Sequence, residues 1–251
     1  MYFASRYFIC LTLMSIAGLT SMPLHAKTIV VYGASGPIGG LIVKEALSRG
    51  DRVVGVSRDP AKLKVENVNF TAVAGDVTDL ASFTSITKGA DAVIISVGGV
   101  GKDNEPAHTS QAQAAKIAVQ AFSGVARSPH VIEIGGATTL YGESTEAMAA
   151  HVPFPPGSEP YAMILGHLEA LRTFRASGIR WTVLTPPLKI EGHNIGAPPV
   201  SNPTGKYRTS TTDFVKDASG ESHLDIGDLA IAAVDEAEHP HFMRKRFTVG
   251  Y

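Results

Sequence analysis

The chain has 251 residues and a net charge of -1, and is 44% hydrophobic and 18% charged, which is enough apolar material for one sizeable core. That near-neutral charge, without a basic run, excludes nucleic acid and an anionic membrane surface as expected partners. The one cysteine, Cys10, lies in the N-terminal leader, so the rest of the chain can form neither disulfides nor thiolate metal sites.

Residues 1–26 read "MYFASRYFICLTLMSIAGLTSMPLHA", with Arg6 near the start, an apolar run from Tyr7 to Leu19 and the small-residue pattern "LHA" before Lys27. This is the layout of a secretory signal peptide, so the sequence predicts a periplasmic or secreted protein whose single domain is 27–251. The run is shorter than the ~20 apolar residues of a spanning helix, and no membrane span is expected after cleavage. Translation from Met22 would instead give a cytoplasmic protein.

After the leader, "KTIVVYG" predicts a strand running into glycines, and "PIGGLIVKEALSRG" takes up helical spacing and stops at Gly50. "DRVVGVSR" and "NVNFTAVAGD" predict the second and third strands, "DLASFTSITKG" a helix and "ADAVIISVGG" the fourth strand. A crossover helix is expected from Pro106 to Ala126, then a fifth strand in "HVIEIGG", a long loop from Gly136 to Glu159 and a helix through "YAMILGHLEALR". "IRWTVLTPP" makes a sixth strand, Pro186 to Gly220 reads as irregular, "DIGDLAIAAVDEAE" as an amphipathic helix and "RKRFTVGY" as a last strand. Strands alternating with helices of these lengths imply an α/β fold, a doubly wound parallel sheet of Rossmann type.

The strongest chemical signal is "GASGPIGG", between the first strand and the first helix. Gly33, Gly36 and Gly39 suit a tight turn, a close backbone approach to pyrophosphate and tight helix packing, and Pro37 fits the first helical turn. The second strand ends in Ser57 and Arg58 rather than in a carboxylate. A guanidinium there favours the 2'-phosphate of NADP (as NADPH) over NAD, while Asp59 before Pro60 reads as a turn or cap. In "GDVTD", Asp76 and Val77 are placed for a hydrogen bond and an apolar contact to adenine, with Asp79 as a helix cap. Ser96, Val97 and Gly98 end the fourth strand, where bare backbone allows close approach to a ribose.

With "TIVVYGASGPIGG", "SRDPAKL", "GDVTD" and "DAVIISVGG" in this order, the chain resembles the atypical short-chain dehydrogenase/reductases. "EALRTFRASGIRWTVLTPP", "PTGKYR" and "FTVGY" resemble its NADH-flavin-reductase-like subgroup, which is related to biliverdin reductase B and to NmrA-like redox sensors. The resemblance implies one Rossmann domain with a small C-terminal substrate cap. It also implies a reduced nicotinamide cofactor along Gly33 to Gly39, Ser35 and Ile38 included, with Arg58, Asp76, Ser96 to Gly98, and Pro187 lining the nicotinamide.

The superfamily's catalytic pair is a Tyr followed four residues later by a Lys; here Tyr161 is followed by Leu165. Its usual serine falls on Thr138 or Thr139. Without the lysine, a phenol near its reference pKa of about 10 is a poor general base for alcohol oxidation. The remaining expectation is hydride transfer to a flavin (FMN or FAD as substrate) or a quinone-like acceptor, with Tyr161 and Thr139 as the catalytic hydroxyls. A silent NADP(H)-binding sensor stays open beside it. His167 reads as a packed or solvated residue without a visible partner, "EHPH" lacks a ligand set at metal spacing, and no G-x-S-x-G elbow supports a hydrolase.

Overall fold

The computed structural model describes residues 26–142, 144–194 and 197–251; the expected signal peptide lies outside them, apart from Ala26. Ten strands and six α-helices follow in chain order: β1 (Thr28–Tyr32), α1 (Pro37–Ser48), β2 (Arg52–Ser57), β3 (Phe70–Ala74), α2 (Leu80–Ile86), β4 (Ala92–Ile95), α3 (Ser110–Phe122) and β5 (His130–Ile134). Then come α4 (Thr145–Ala149), α5 (Glu159–Arg175), β6 (Trp181–Thr185), β7 (Lys189–Glu191), β8 (Arg208–Ser210), β9 (His223–Asp225), α6 (Ile226–Glu238) and β10 (Lys245–Gly250).

One eight-stranded sheet runs in the order β3-β2-β1-β4-β5-β6-β10-β8, all parallel except for β8, which pairs antiparallel with β10 at the edge. Parallel pairing requires crossovers that cover both faces. Alternation along β1 divides the core accordingly: Ile29 and Val31 join the layer under α1 and α6, while Val30 and Tyr32 join the layer under α2, α3 and α5. The sheet reverses direction of growth between β1 and β4, and ligands bind outside the strand ends at such a switch point.

Several expectations change in the structure. The crossover helix starts at Ser110 rather than Pro106, because the Thr109 side chain accepts a hydrogen bond from the Ala112 amide, and Pro106–His108 form a separate 3-10 turn. The expected loop at 136–159 contains a 3-10 turn at Ala137–Leu140 and the short α4, capped by Ser144. The irregular stretch after Pro186 contributes β7, which pairs with β9 as a small second sheet, and the edge strand β8. Polar residues of the last helix are buried beside its apolar ones: Asp228 under the chain before β8, Glu238 against Arg49 at the end of α1, and Glu236 against Thr182 and the amides of His241 and Phe242.

Candidate functional site

A cleft of about 520 Å³ opens at the C-terminal ends of β1, β2, β3 and β4. It is lined by Gly33, Ser35, Gly36, Pro37, Arg58, Asp76, Val77, Ser96, Val97 and Gly98, all singled out in the sequence. Gly33 adopts φ +78, and a Cβ there would stand 2.1 Å from the Ser96 carbonyl oxygen, so the loop closes on β4 only with glycine. A Cβ on the buried Gly39 would lie 2.2 Å from the Gly33 oxygen, the close contact that seats α1 against its own loop. Gly36 differs: its added Cβ would meet only the Gly33 oxygen, at 3.2 Å, and the residue lines the open cleft.

The N-terminus of α1 has Gly36 as cap, Pro37 in the first turn, no side-chain cap and no acidic residue. Each of the other five α-helices among the described residues has a side-chain cap: Asp79, Thr109, Ser144, Ser158 and Asp225. Uncapped amides and the helix dipole together favour an anion at α1. Beyond it the hydroxyls of Ser35 and Ser57 stand 3.1 Å apart, and Arg58 is exposed on the wall. Asp59 turns into its own loop, accepting from the Ala61 amide at 3.2 Å and lying 3.9 Å from Lys62, so the carboxylate is held by local partners.

Asp76 accepts both the amide (2.8 Å) and the hydroxyl (2.7 Å) of Thr78 on one carboxylate oxygen. These bonds, helped by the Arg58 charge, hold its pKa below the usual carboxylate value and keep it ionised. Tyr32 is buried against Phe83, and burial followed by the Asp76 charge pushes its pKa upward. Its hydroxyl is a buried atom with no partner among the described residues, on a residue that lines the cleft. An orphaned donor, uncapped amides, a guanidinium and a glycine cradle fit a nicotinamide dinucleotide.

The structure gathers the remaining sequence candidates elsewhere. Ile38 packs on the core under α1, and Pro187 is buried directly after β6. Tyr161 does not line the cleft; it packs beside Met148, Leu165 and Leu168, and Leu165 is buried where the superfamily's lysine would stand. Thr139 is fully buried, donates its hydroxyl to the Gly136 carbonyl at 2.8 Å and accepts Arg246 on its own carbonyl, a geometry at odds with a hydroxyl that touches substrate. The Thr138 hydroxyl, also buried, has no partner among the described residues. The 3-10 turn after β5 produces this difference by folding the Thr139 side chain back on the turn.

Sequence reasoning missed the cleft residues Tyr32, Thr78 and Ser110. The first two adjoin motifs already recognised, but Ser110 arrives from the crossover after β4 and carried no local signal. It also missed Glu133 as the partner of His167, with Nδ1 and Oε1 3.4 Å apart. A charged residue inside the strand pattern "HVIEIGG" was the available signal.

A sequence profile of NAD(P)H-binding proteins matches residues 33–237. Among solved structures, one from Burkholderia pseudomallei described as an exported protein is 30% identical, covers 90% of this chain and 100% of its own, and superposes with a TM-score of 0.67. A Bacteroides thetaiotaomicron structure assigned as an epimerase is 30% identical over 90% of this chain and 97% of its own, with a TM-score of 0.69. A Streptococcus pneumoniae structure assigned as an NADH-flavin reductase is 25% identical over 90% and 99%, with a TM-score of 0.68.

Proposed function

The chain belongs to the NAD(P)H-binding family, and from that premise we propose that it is an NADPH-dependent reductase passing hydride to a flavin or a quinone-like acceptor. The cleft carries this proposal: uncapped amides of α1, the Ser35 and Ser57 hydroxyls and Arg58 converge on its wall. When bound, the reduced nicotinamide supplies the hydride. The chain binds and orients it, with the start of α1 facing the pyrophosphate, Arg58 with Ser35 and Ser57 facing the 2'-phosphate, and Asp76 and Val77 facing adenine. Ser96 to Gly98 would approach a ribose, and Pro187, buried outside the cleft, is assigned to the nicotinamide side on the resemblance.

The acceptor class follows from what α5 lacks. Buried Leu165 can neither hold a ribose nor assist a phenol, so alcohol oxidation loses its base, whereas a flavin or quinone accepts hydride with little help. Tyr161, packed beside Met148 outside the cleft, is assigned only the role of a hydrogen-bond donor to the acceptor. The Streptococcus pneumoniae relative supports the same assignment.

Calorimetry with both cofactors, followed by turnover with FMN and simple quinones, tests the proposal. Arg58→Ala is expected to weaken NADPH roughly 10- to 100-fold while leaving NADH within about twofold, the effect of one charge-assisted contact to phosphate. Tight NADPH binding without turnover on any acceptor would favour the silent sensor. Export is part of the same proposal, supported by the leader pattern and by the exported Burkholderia relative. A native N-terminus at Lys27, read by mass, supports it; one at Met22 overturns it.

A further inference from the structure

Glu133 occupies the second-to-last position of β5 and is buried to 1% exposure between hydrogen-bonded strands. One carboxylate oxygen lies 3.4 Å from His167 Nδ1; the other is buried without a partner among the described residues. A carboxylate so far from water is costly unless paired or protonated, and packing here would be served better by valine or isoleucine. Burial raises its pKa, and the hydrogen bond and charge of His167 pull it back down.

Neither residue lines the cleft, but the pair ends the strand next to β4, the last strand that does. Arg58 and Ser57 fix the phosphate-bearing adenosine end at β2, and Gly33 with Ser96 to Gly98 carry the cleft across β1 to β4. The next strand is β5, about 10 Å from β1 at two strand spacings. There a Cβ on Gly136 would meet the His167 ring at 2.8 Å, so the imidazole lies against the backbone that ends β5. His167 retains 19% of its side-chain surface open, and its Nε2 makes no hydrogen bond among the described residues.

Resting on the reductase assignment above, we propose that Glu133 Oε1 and His167 Nδ1 share one proton, and that this pairing orients the imidazole so that Nε2 releases its own proton to the acceptor as hydride arrives, with Glu133 as a positioning residue. The step balances as one hydride from the dihydronicotinamide and one proton from the imidazole. The C–H electron pair forms a new bond on the acceptor, the N–H pair stays on His167, and water returns the proton. The nicotinamide is oxidised and the acceptor reduced, each by two electrons.

Other titratable groups on the elements packed against α5 are engaged elsewhere. His108 pairs with Asp103 at 2.7 Å, Lys116 donates to the Ala107 carbonyl at 3.2 Å, and Glu146 is exposed in the field of Arg172. From β10, the Arg246 guanidinium reaches the Thr139 carbonyl and adds positive charge near the turn after β5. On α5 itself Glu169 holds Arg172 at 2.8 Å. Glu133 is the carboxylate aimed at the His167 ring.

The test follows the Glu133 carboxyl carbon by 13C NMR in the full cofactor-free protein, in wild type and in His167→Asn. Asparagine can still donate an amide N–H but carries no charge, so with the imidazole gone the titration midpoint should rise. In turnover, Glu133→Gln should lower kcat roughly 10- to 100-fold, as for loss of an aligned proton donor, and alter its pH profile while the KM for NADPH stays within about twofold. An unchanged midpoint in His167→Asn overturns the shared proton and leaves the reductase assignment in place. A wild-type protein that binds NADPH but reduces no acceptor overturns the assignment and the donation step together. Should Glu133→Gln fail to fold, the pH profile of His167→Asn decides: a profile identical to wild type sinks the proposal.

Discussion

The N-termini of α1 and α6 belong to helices that pack against each other, yet they are finished in opposite ways. At α1 the cap is Gly36, with no side-chain acceptor and no acid in the first turn. At α6, Asp225 accepts from the Gly227 amide at 2.7 Å and also holds Ser201 (2.8 Å) and the Asn202 amide (2.9 Å). One turn on, the fully buried Asp228 receives the Thr204 amide (2.9 Å), the Thr204 hydroxyl (3.0 Å), the Gly205 amide (2.8 Å) and the Tyr251 hydroxyl. The same dipole is met by the chain's own carboxylates at α6, where it anchors the segment before β8. At α1 it is left facing a cleft built of backbone and small side chains. One end is built to hold the protein together, the other to hold something else.

Gly33→Ala tests that contrast most severely. The residue has a positive φ, and its new methyl group would stand 2.1 Å from the Ser96 oxygen, so the loop must move; stability should fall by about 2–4 kcal/mol and NADPH binding by more than about 100-fold. Gly98→Ala in the same cleft meets nothing within 4 Å and should change stability by no more than about 0.5 kcal/mol. Equal behaviour of the two in calorimetry and thermal unfolding would break the account of a backbone-built site.

Asp228→Ala should act the other way round. It strands two amides and the Tyr251 hydroxyl, while the Thr204 hydroxyl keeps the Lys206 carbonyl, costing about 2–4 kcal/mol in denaturant unfolding, and NADPH affinity stays within about twofold. A parallel loss of affinity would show that the anchored segment shapes the cleft after all. The smallest effect is expected at Asp217, in the turn before β9. Hydrogen bonds from Ser219 and from the Glu221 amide, with a later one from His223, lower its pKa from 3.8 to about 2. Because the folded value is depressed, its contribution is present above pH 3.8 and is lost as pH falls towards 2. Asp217→Asn should remove that small contribution at neutral pH and flatten acid unfolding in that window.

Much of the cleft was legible because it is local. Gly33, Gly36 and Pro37 act through backbone geometry within one strand-turn-helix, and Arg58, Asp76 and Ser96 each stand at a strand end that periodicity alone locates. The helix start at Ser110 and the threonine after β5 were harder, since a cap or a 3-10 turn decides them by a single hydrogen bond. Polar residues in "DIGDLAIAAVDEAE" suggested a solvated face that α1 and the loop at 201–206 in fact cover.

By itself the sequence determined the alternation of strands and helices, the dinucleotide loop, the arginine at the end of β2 and the absence of the lysine, because each depends on neighbours within a turn or a strand. Only the tertiary structure decided that Thr139 is sealed inside, and that Glu133 and His167, 34 positions apart, meet at one strand end. Those outcomes are set by which groups packing removes from water and which partners remain within reach, and no local pattern encodes that.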